Sequence, residues 1–280
     1  MVNAQEQGRR RGRSAAKPRS AATGRALDAG LGVLGVVLFL LVWELVPRIG
    51  LVDARFLPPV SQVLGKFFTL LVTPRFWTSV GETMTAWALG LLISVVAAIV
   101  LGLVIGLSPF LRRATRTTIE FLRPIPSVAL IPVAVLLFGA RIESTLLLIV
   151  YASFWQVLLQ VLYGVADVDP VAEDTARSYR FSWLQRVRHV VWPTMLPYLL
   201  TGIRLASAVG LILAITGELI IGAPGLGYEI ALNQQGGQLD EMYALILATG
   251  LIGVIINIAV RAVERRALAW HPSVRGEAAV

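Results

Sequence analysis

The feature that most constrains this chain is a series of six long apolar runs. They cover residues 27–46, 83–107, 119–138, 145–165, 197–221 and 242–263. Each is close to the roughly 20 residues that a helix needs to cross the hydrocarbon of a bilayer. None alternates with a period of two, and each is too long for a strand of a membrane barrel. Because helices satisfy their backbone hydrogen bonds without water, the sequence predicts an all-α integral membrane protein with six transmembrane helices.

Composition and residue types exclude several other classes of protein. The chain is 56% hydrophobic and 15% charged, whereas soluble domains carry roughly 25% charged residues. It has no cysteine, which excludes disulfides and thiol chemistry. Its two histidines, His189 and His271, both lie outside the apolar runs. No phosphate-binding GxxxxGK[ST] loop is present, so we expect no catalytic residue, no metal and no bound cofactor in this chain.

Positive charge is distributed unevenly among the loops, which predicts an orientation. With six spans, most Lys and Arg residues fall on one side, and such loops usually stay in the cytoplasm. Both termini and the loop between the fourth and fifth spans are therefore predicted to be cytoplasmic. The basic residues on that side are Arg9, Arg10, Arg11, Arg13, Lys17, Arg19, Arg25, Arg112, Arg113, Arg116, Arg177, Arg180, Arg186, Arg188, Arg265, Arg266 and Arg275.

The domain organisation follows from the same pattern. Residues 1–26 are predicted to be a disordered basic cytoplasmic tail, residues 27–268 a transmembrane domain, and residues 269–280 a second cytoplasmic tail. The net charge is +8, but no zinc spacing or RNA-binding motif accompanies it. We therefore expect the tail to lie near anionic membrane lipid, with no nucleic-acid partner.

A polar segment, residues 167–197, separates the fourth and fifth spans. Asp169 before Pro170 is a good helix start, because the carboxylate can cap free amides and proline is tolerated in the first turn. A short helix is predicted from there to Tyr179, with Glu173 and Arg177 as a favourable i,i+4 pair.

A second helix start follows within the same segment. Ser182 with Gln185 three residues later has the pattern of a capping box. The apolar side chains of Trp183, Leu184 and Val187 are predicted to pack this helix against the membrane boundary until Pro193 stops it.

This polar segment resembles the docking loop of ABC importer permeases of the binding-protein-dependent (type I) family. The family pattern is an acidic residue, two small residues, three variable residues and a glycine, followed after nine more residues by an aliphatic residue, a spacer and Leu-Pro. Three other segments resemble the same family, closest to its sulfonate, taurine and nitrate branch: residues 56–68, 119–144 and 217–230. The resemblance covers residues 56–263, with a family core at about 80–264. The residues that match the loop are Asp174, Thr175, Ala176, Arg180, Val190, Val191, Trp192 and Pro193.

Two departures from the family pattern concern the docking loop. Asp174 stands where glutamate is usual, and Arg180 stands where a glycine normally allows a sharp turn. Glycine adopts positive φ at little cost, and arginine does not. Either the turn is made another way, or the partner ATPase differs locally.

The resemblance implies a pore subunit in a bacterial cytoplasmic (inner) membrane, with a cytoplasmic coupling helix between helices 4 and 5. Its expected partners are cytoplasmic ATPase subunits that bind ATP-Mg, an extracytoplasmic solute-binding protein and a second permease copy, in a homodimer. The substrate would be a small solute, an anion such as a sulfonate, taurine or nitrate. A secondary transporter or channel is the alternative. The resemblance assigns ATPase coupling to Glu173, Asp174, Thr175, Ala176, Arg177, Tyr179 and Arg180.

Few ionisable residues lie within the predicted spans, and such residues are functional candidates by default. Arg204 and Glu218, in the fifth span, are therefore candidates for a translocation path. Arg204 could instead reach the membrane interface or pair with a neighbouring chain. Pro124 and Pro126 break the third span and are further path candidates, because freed carbonyls could line a path or pack against neighbours. Arg123 and Glu120 are predicted to form a boundary ion pair.

Overall fold

The computed structural model describes residues 21–269. The two predicted tails lie almost wholly outside this range. Within this range the chain divides into two compact units, with the division between residues 61 and 62. Its α-helices are α1 Ala21–Arg48, α2 Val60–Leu70, α3 Pro74–Leu107, α4 Pro109–Leu122, α5 Ile131–Phe138, α6 Ile142–Ala166, α7 Pro170–Ser178, α8 Trp183–Arg186, α9 Trp192–Ile221, α10 Leu226–Gln235 and α11 Leu239–Ala267.

The first unit contains α1, which begins at Ala21, six residues before the start of the predicted first span. Its apolar side chains are exposed from Leu31 to Val42. At its end, Trp43 donates a hydrogen bond from Nε1 to the Pro58 carbonyl at 3.1 Å. The Glu44 carboxylate accepts from the Ser61 amide at 2.9 Å. These contacts fold the chain after α1 back on the end of that helix.

The second unit is built around α3, α6 and α9, three long helices that pack along their length. Glycine allows close approach in both pairs. A Cβ on Gly102 of α3 would lie 2.5 Å from Val161 Cγ1 of α6, and one on Gly164 would lie 2.8 Å from Met195 Cα of α9. Small residues at such contacts are how membrane helices maximise dispersion attraction.

Hydrogen bonds between the core helices add to this packing. Trp87 Nε1 of α3 donates to the Ser207 carbonyl of α9 at 2.9 Å. The Ser153 hydroxyl of α6 donates to the Ala206 carbonyl at 3.2 Å. Ser94 of α3 donates to its own helix and to the Val150 carbonyl of α6. The three helices therefore form a single buried core.

The predicted third span, residues 119–138, is not one continuous helix, and its break falls at the prolines where the sequence predicted one. The structure has α4 up to Leu122, a 3₁₀ turn Ser127–Leu130 and then α5, and the two helical parts are bent by 82°. The physical reason is proline: Pro124 and Pro126 have no backbone N–H to donate, so neither can continue the hydrogen-bond ladder of a helix. The Leu122 carbonyl, whose usual helical donor would be the missing N–H of Pro126, accepts instead from the Tyr151 hydroxyl of α6 at 2.6 Å.

Within residues 21–269, five helices are long and apolar enough to cross a membrane, or six if the bent α4–α5 pair counts as one span. They include α3, α6 and α11, each longer than its predicted run. This confirms a multi-pass helical membrane protein, with the number of spans left at five or six.

The helical run before α9 also differs from its prediction. Pro193 does not stop it: α8 continues into a π-helical turn, Val187–Val191, and α9 begins at Trp192 with Pro193 in its first turn. The Trp192 amide bonds to the Val187 carbonyl, five residues back. The π turn shifts the hydrogen-bond register just before the proline, whose missing N–H is tolerated in a first helical turn.

At the other end of the core, charged pairs join the shorter helices to the long ones. Arg75 of α3 pairs with Glu229 of α10 at 2.9 Å. Lys66 of α2 pairs with Glu241 of α11 at 3.2 Å and with Asp240 at 3.5 Å. The hydrogen bond to Glu241 and the nearby Asp240 charge raise the pKa of Lys66 above its ordinary value.

Candidate functional site

The polar segment between α6 and α9 forms a projecting helix, α7, whose ends are both capped. At its start the Asp169 carboxylate accepts from the Val171 amide at 2.8 Å, with Pro170 in the first turn. The Ser182–Gln185 capping box at the start of α8 has both of its hydrogen bonds. Both predicted helix starts are confirmed, and they fix where the chain turns.

An ion-pair cluster holds the segment together from within. Glu173 Oε1 of α7 lies 2.5 Å from Arg186 Nη1 of α8 and 3.3 Å from Arg177 Nη2. The Glu173–Arg177 pair was predicted, and Arg186 was not. At the base of the segment, the Tyr198 hydroxyl of α9 donates to the Asp167 carboxylate at 2.8 Å. Glu173 is therefore half-buried inside the segment, and its carboxylate faces its own arginines.

Arg180 makes the turn after α7 in the left-handed conformation. Its φ is 56°, and no other non-glycine residue in the described part of the chain has a positive φ. The Phe181 amide bonds to the Ala176 carbonyl and the Arg180 amide to the Arg177 carbonyl, both at 2.9 Å. This pair of hydrogen bonds is a Schellman motif, in which the left-handed position is usually glycine. The alternative that the turn is made another way is therefore wrong, because Arg180 itself adopts the left-handed conformation that glycine usually takes.

The outer face of the segment is exposed and largely apolar. Val171 and Tyr179 of α7 are 71% and 77% exposed, and Trp183 and Leu184 of α8 are 60% and 67% exposed. Ala176 is buried at the base of α7. The remaining predicted coupling residues, exposed beside this face, are Asp174, Thr175, Arg177 and Arg180.

Arg204, a candidate path residue, has a partner within the chain. Its Nη1 lies 3.3 Å from Glu264 Oε2, which joins α9 to α11. Both side chains are partly exposed, at 39% and 18%. This pair joins residues 60 positions apart and could not be predicted from spacing, because the contact depends on how the two helices pack.

Glu218, the second candidate path residue, is enclosed by protein. It is 1% exposed and accepts hydrogen bonds from the Thr83 hydroxyl of α3 at 2.8 Å and from the Gly227 amide of α10 at 2.9 Å. The Thr83 oxygen in turn accepts from the Leu226 amide at 2.9 Å. A side chain on Gly225 would collide with the Glu218 carboxylate. We call this arrangement the Glu218 junction; a path role for Glu218 stays a prediction.

Pro124 and Pro126 lie in the bend between α4 and α5. The predicted Arg123–Glu120 pair is wrong: Glu120 Oε1 accepts from Arg116 Nε at 2.9 Å. These two residues are four apart on one helix and so face each other, whereas Arg123 caps the end of α4 at the bend. No group of three residues able to hold a metal ion occurs among residues 21–269.

These features define a class of protein: a multi-pass α-helical membrane protein with a projecting, internally braced polar segment between two of its core helices. Residues 94–268 match the family model described as the inner membrane component of binding-protein-dependent transport systems. The chain belongs to that family, whose members are permease components of ABC importers and not catalytic subunits.

Comparisons with individual proteins agree with this assignment. The chain is 33% identical to the taurine transport system permease protein TauC of Escherichia coli (strain K12), over 90% of this chain and 92% of that one. It is 27% identical to the putative aliphatic sulfonates transport permease protein SsuC of Bacillus subtilis (strain 168), over 88% and 89%. Its fold is similar to a chain of a bacterial ABC transporter involved in the import of the polysaccharide alginate, with a TM-score of 0.60, 17% identity and coverage of 87% and 96%.

Proposed function

We propose that this chain is the permease subunit of an ATP-driven importer of small sulfonates, taurine among them. It encloses a path together with a second copy, receives solute from an extracytoplasmic binding protein, and is driven by separate cytoplasmic ATPase subunits that bind ATP-Mg. Both termini and α7 face the cytoplasm in this proposal, as the distribution of Lys and Arg predicts.

The observation that carries the proposal is the outer face of α7 and α8. Four large side chains are exposed on this segment, and the ion pair of Glu173 with Arg186 is formed within the segment itself. Exposed apolar residues beside charged ones are typical of a surface that binds another protein. Because α7 follows α6 directly and leads through α8 into α9, a force applied to this face acts on two of the three core helices.

The contacts of the predicted coupling residues separate those that hold the segment together from those available to an ATPase. Glu173 braces the segment through Arg186, and Ala176 fills its base. The residues available to an ATPase surface are Asp174, Thr175, Arg177, Tyr179 and Arg180. Reversing a 1:99 equilibrium between inward-open and outward-open states needs about 5.5 kcal/mol of differential binding, which ATP-driven closure of the ATPases would supply through this face.

The substrate class rests on the two relatives named for taurine and aliphatic sulfonates, and it agrees with the predicted anionic solute. The path is proposed to run beside the α4–α5 bend, with Pro124 and Pro126 at its wall. The Arg204–Glu264 pair would hold α11 against α9 as α9 moves.

The test is uptake of taurine into sealed vesicles that contain the permease with its binding protein. We expect uptake only when the ATPase is co-expressed and ATP is present. The Walker A lysine variant of that ATPase is the matched control, because it assembles without hydrolysing ATP. Uptake driven by a proton gradient without ATP would contradict the proposal and favour the secondary transporter.

A further inference from the structure

A cavity of 620 Å³ lies between α4, the end of α3 and α6. On one wall are three arginines: Arg112 and Arg116 of α4, and Arg123 at its C-cap. The opposite wall includes Leu159 and Leu162 of α6. The cavity thus has a cationic side and an apolar side.

The positive charge of this cavity is only partly neutralised. Glu120 is the carboxylate that lines it, and this side chain is bound by Arg116 at 2.9 Å. Arg112 donates to the Gly106 carbonyl, which leaves its charge uncompensated. Arg123 has no ion pair within residues 21–269. With three arginines and one glutamate, the cavity lining has a net charge of +2.

We propose that this cavity binds an amphiphilic anion, a sulfonate or phosphodiester group carried on an alkyl chain. Guanidinium groups bind tetrahedral oxyanions through parallel N–H donors, and the leucines of α6 accept the chain. The surrounding helix suits such a ligand: α4 has no buried residue, and Phe110 and Phe121 are each 72% exposed at its two ends. Basic pockets between membrane helices are known sites for acidic headgroups.

Two sources supply this chemistry, an acidic phospholipid and a small alkanesulfonate. The alkanesulfonate source rests on the proposed function, and the phospholipid source does not. The full chain is purified into nanodiscs of phosphatidylcholine, and 1-butanesulfonate is titrated by calorimetry, with 1-butanol as the uncharged control. A parallel sample in mixed phosphatidylcholine and phosphatidylglycerol nanodiscs is analysed for retained lipid by native mass spectrometry.

The variant is Arg123→Gln, and the matched control is Arg113→Gln. Both arginines are exposed, Arg113 on α4 and Arg123 at its C-cap, so neither change should unfold the protein, but Arg113 does not line the cavity. We expect Arg123→Gln to weaken binding of the anion about tenfold, the effect of losing one charge-assisted contact. Arg113→Gln should leave the affinity unchanged.

The two arms distinguish the sources. Saturable binding of 1-butanesulfonate identifies an alkanesulfonate site, and selective retention of phosphatidylglycerol identifies a lipid site. Binding of neither probe, or equal weakening by both variants, would overturn the proposal. These measurements use no ATPase, so a failed uptake assay and a failed binding assay are separate results.

Discussion

The two ends of α9 differ in how far the side chains around them are buried. At the Glu218 junction a carboxylate is enclosed, and its hydrogen bonds join α3, α9 and the start of α10. At the other end, the α7–α8 segment exposes four large apolar side chains and includes a left-handed arginine. At the first end the Thr83 and Gly227 donors are paired within the chain, while Glu218 Oε1 has no partner among the described residues. The other end leaves a large surface without cover from the described residues.

This difference indicates where each kind of substitution should act. Changes at the Glu218 junction should lower the free energy of unfolding, because they leave buried donors unpaired. Changes on the α7 face should alter coupling while the fold persists, because exposed residues contribute little to stability. Substitutions at Asp174 and Glu218 test the two sides of that division directly, and those at Arg204 and Arg180 have smaller expected effects.

Asp174→Lys should reduce ATP-driven uptake more than tenfold while the protein stays folded. Reversing an exposed charge at an interface costs several kcal/mol when it creates a like-charge contact. Uptake and co-purification of the ATPase are measured together, with Asp174→Asn as the control that removes the charge and keeps the size. Undiminished co-purification of the ATPase with the lysine variant would contradict the docking role.

Glu218→Ala should lower the free energy of unfolding by about 3 kcal/mol, because the Gly227 amide loses its acceptor and a cavity remains. Thermal unfolding in detergent, followed by intrinsic tryptophan fluorescence, measures the loss. Glu218→Gln keeps the volume and one acceptor oxygen, so it should cost less than half as much. Equal losses from both variants would show that the hydrogen bonds at the junction contribute nothing.

Arg204→Ala should cost no more than about 1 kcal/mol of stability, since both members of its ion pair are partly exposed and screened by solvent. A double-mutant cycle with Glu264→Ala measures the coupling energy. If Arg204 also acts on the solute, uptake should fall by more than this stability loss explains. A charge-reversed pair, Arg204→Glu with Glu264→Arg, that restores uptake fully would assign the residue to packing alone.

Arg180→Gly should raise the free energy of unfolding by about 1 kcal/mol, because glycine adopts the left-handed conformation without the steric cost that arginine meets. Arg180→Ala removes the same charge but keeps the strained backbone. Comparing the two in thermal unfolding and in uptake therefore separates backbone strain from charge. Identical stability of the glycine and alanine variants would contradict a strained turn.

The sequence predicted the features that local chemistry determines. Long apolar runs predicted the helices, and the side chains of Asp169 and Ser182 predicted where two short helices begin. Pro124 and Pro126 predicted a break in the third span, but not its angle of 82°. The stop predicted at Pro193 was wrong because a π turn precedes the proline and leaves it in the first turn of α9. A π turn has no sequence signal as strong as that of a proline.

The candidate site was predicted less completely, for a physical reason. Glu173 and Arg177 are neighbours on one helix, so their pairing follows from spacing. The contacts of Glu173 with Arg186, Arg204 with Glu264 and Thr83 with Glu218 join separate helices. Such contacts become visible only when the helices are packed, and they are the contacts that decide whether an ionisable residue braces the fold or faces a path.

The continuity of α9 has a geometric consequence. Its 30 residues make a rod about 45 Å long, since an α-helix rises about 1.5 Å per residue. For such a rod pivoting near the Glu218 junction, a tilt of about 10° sweeps the α7 end through roughly 8 Å. A small rotation of α9 at its hydrogen-bonded end therefore corresponds to a large displacement at the α7 end, where the exposed aromatic residues lie.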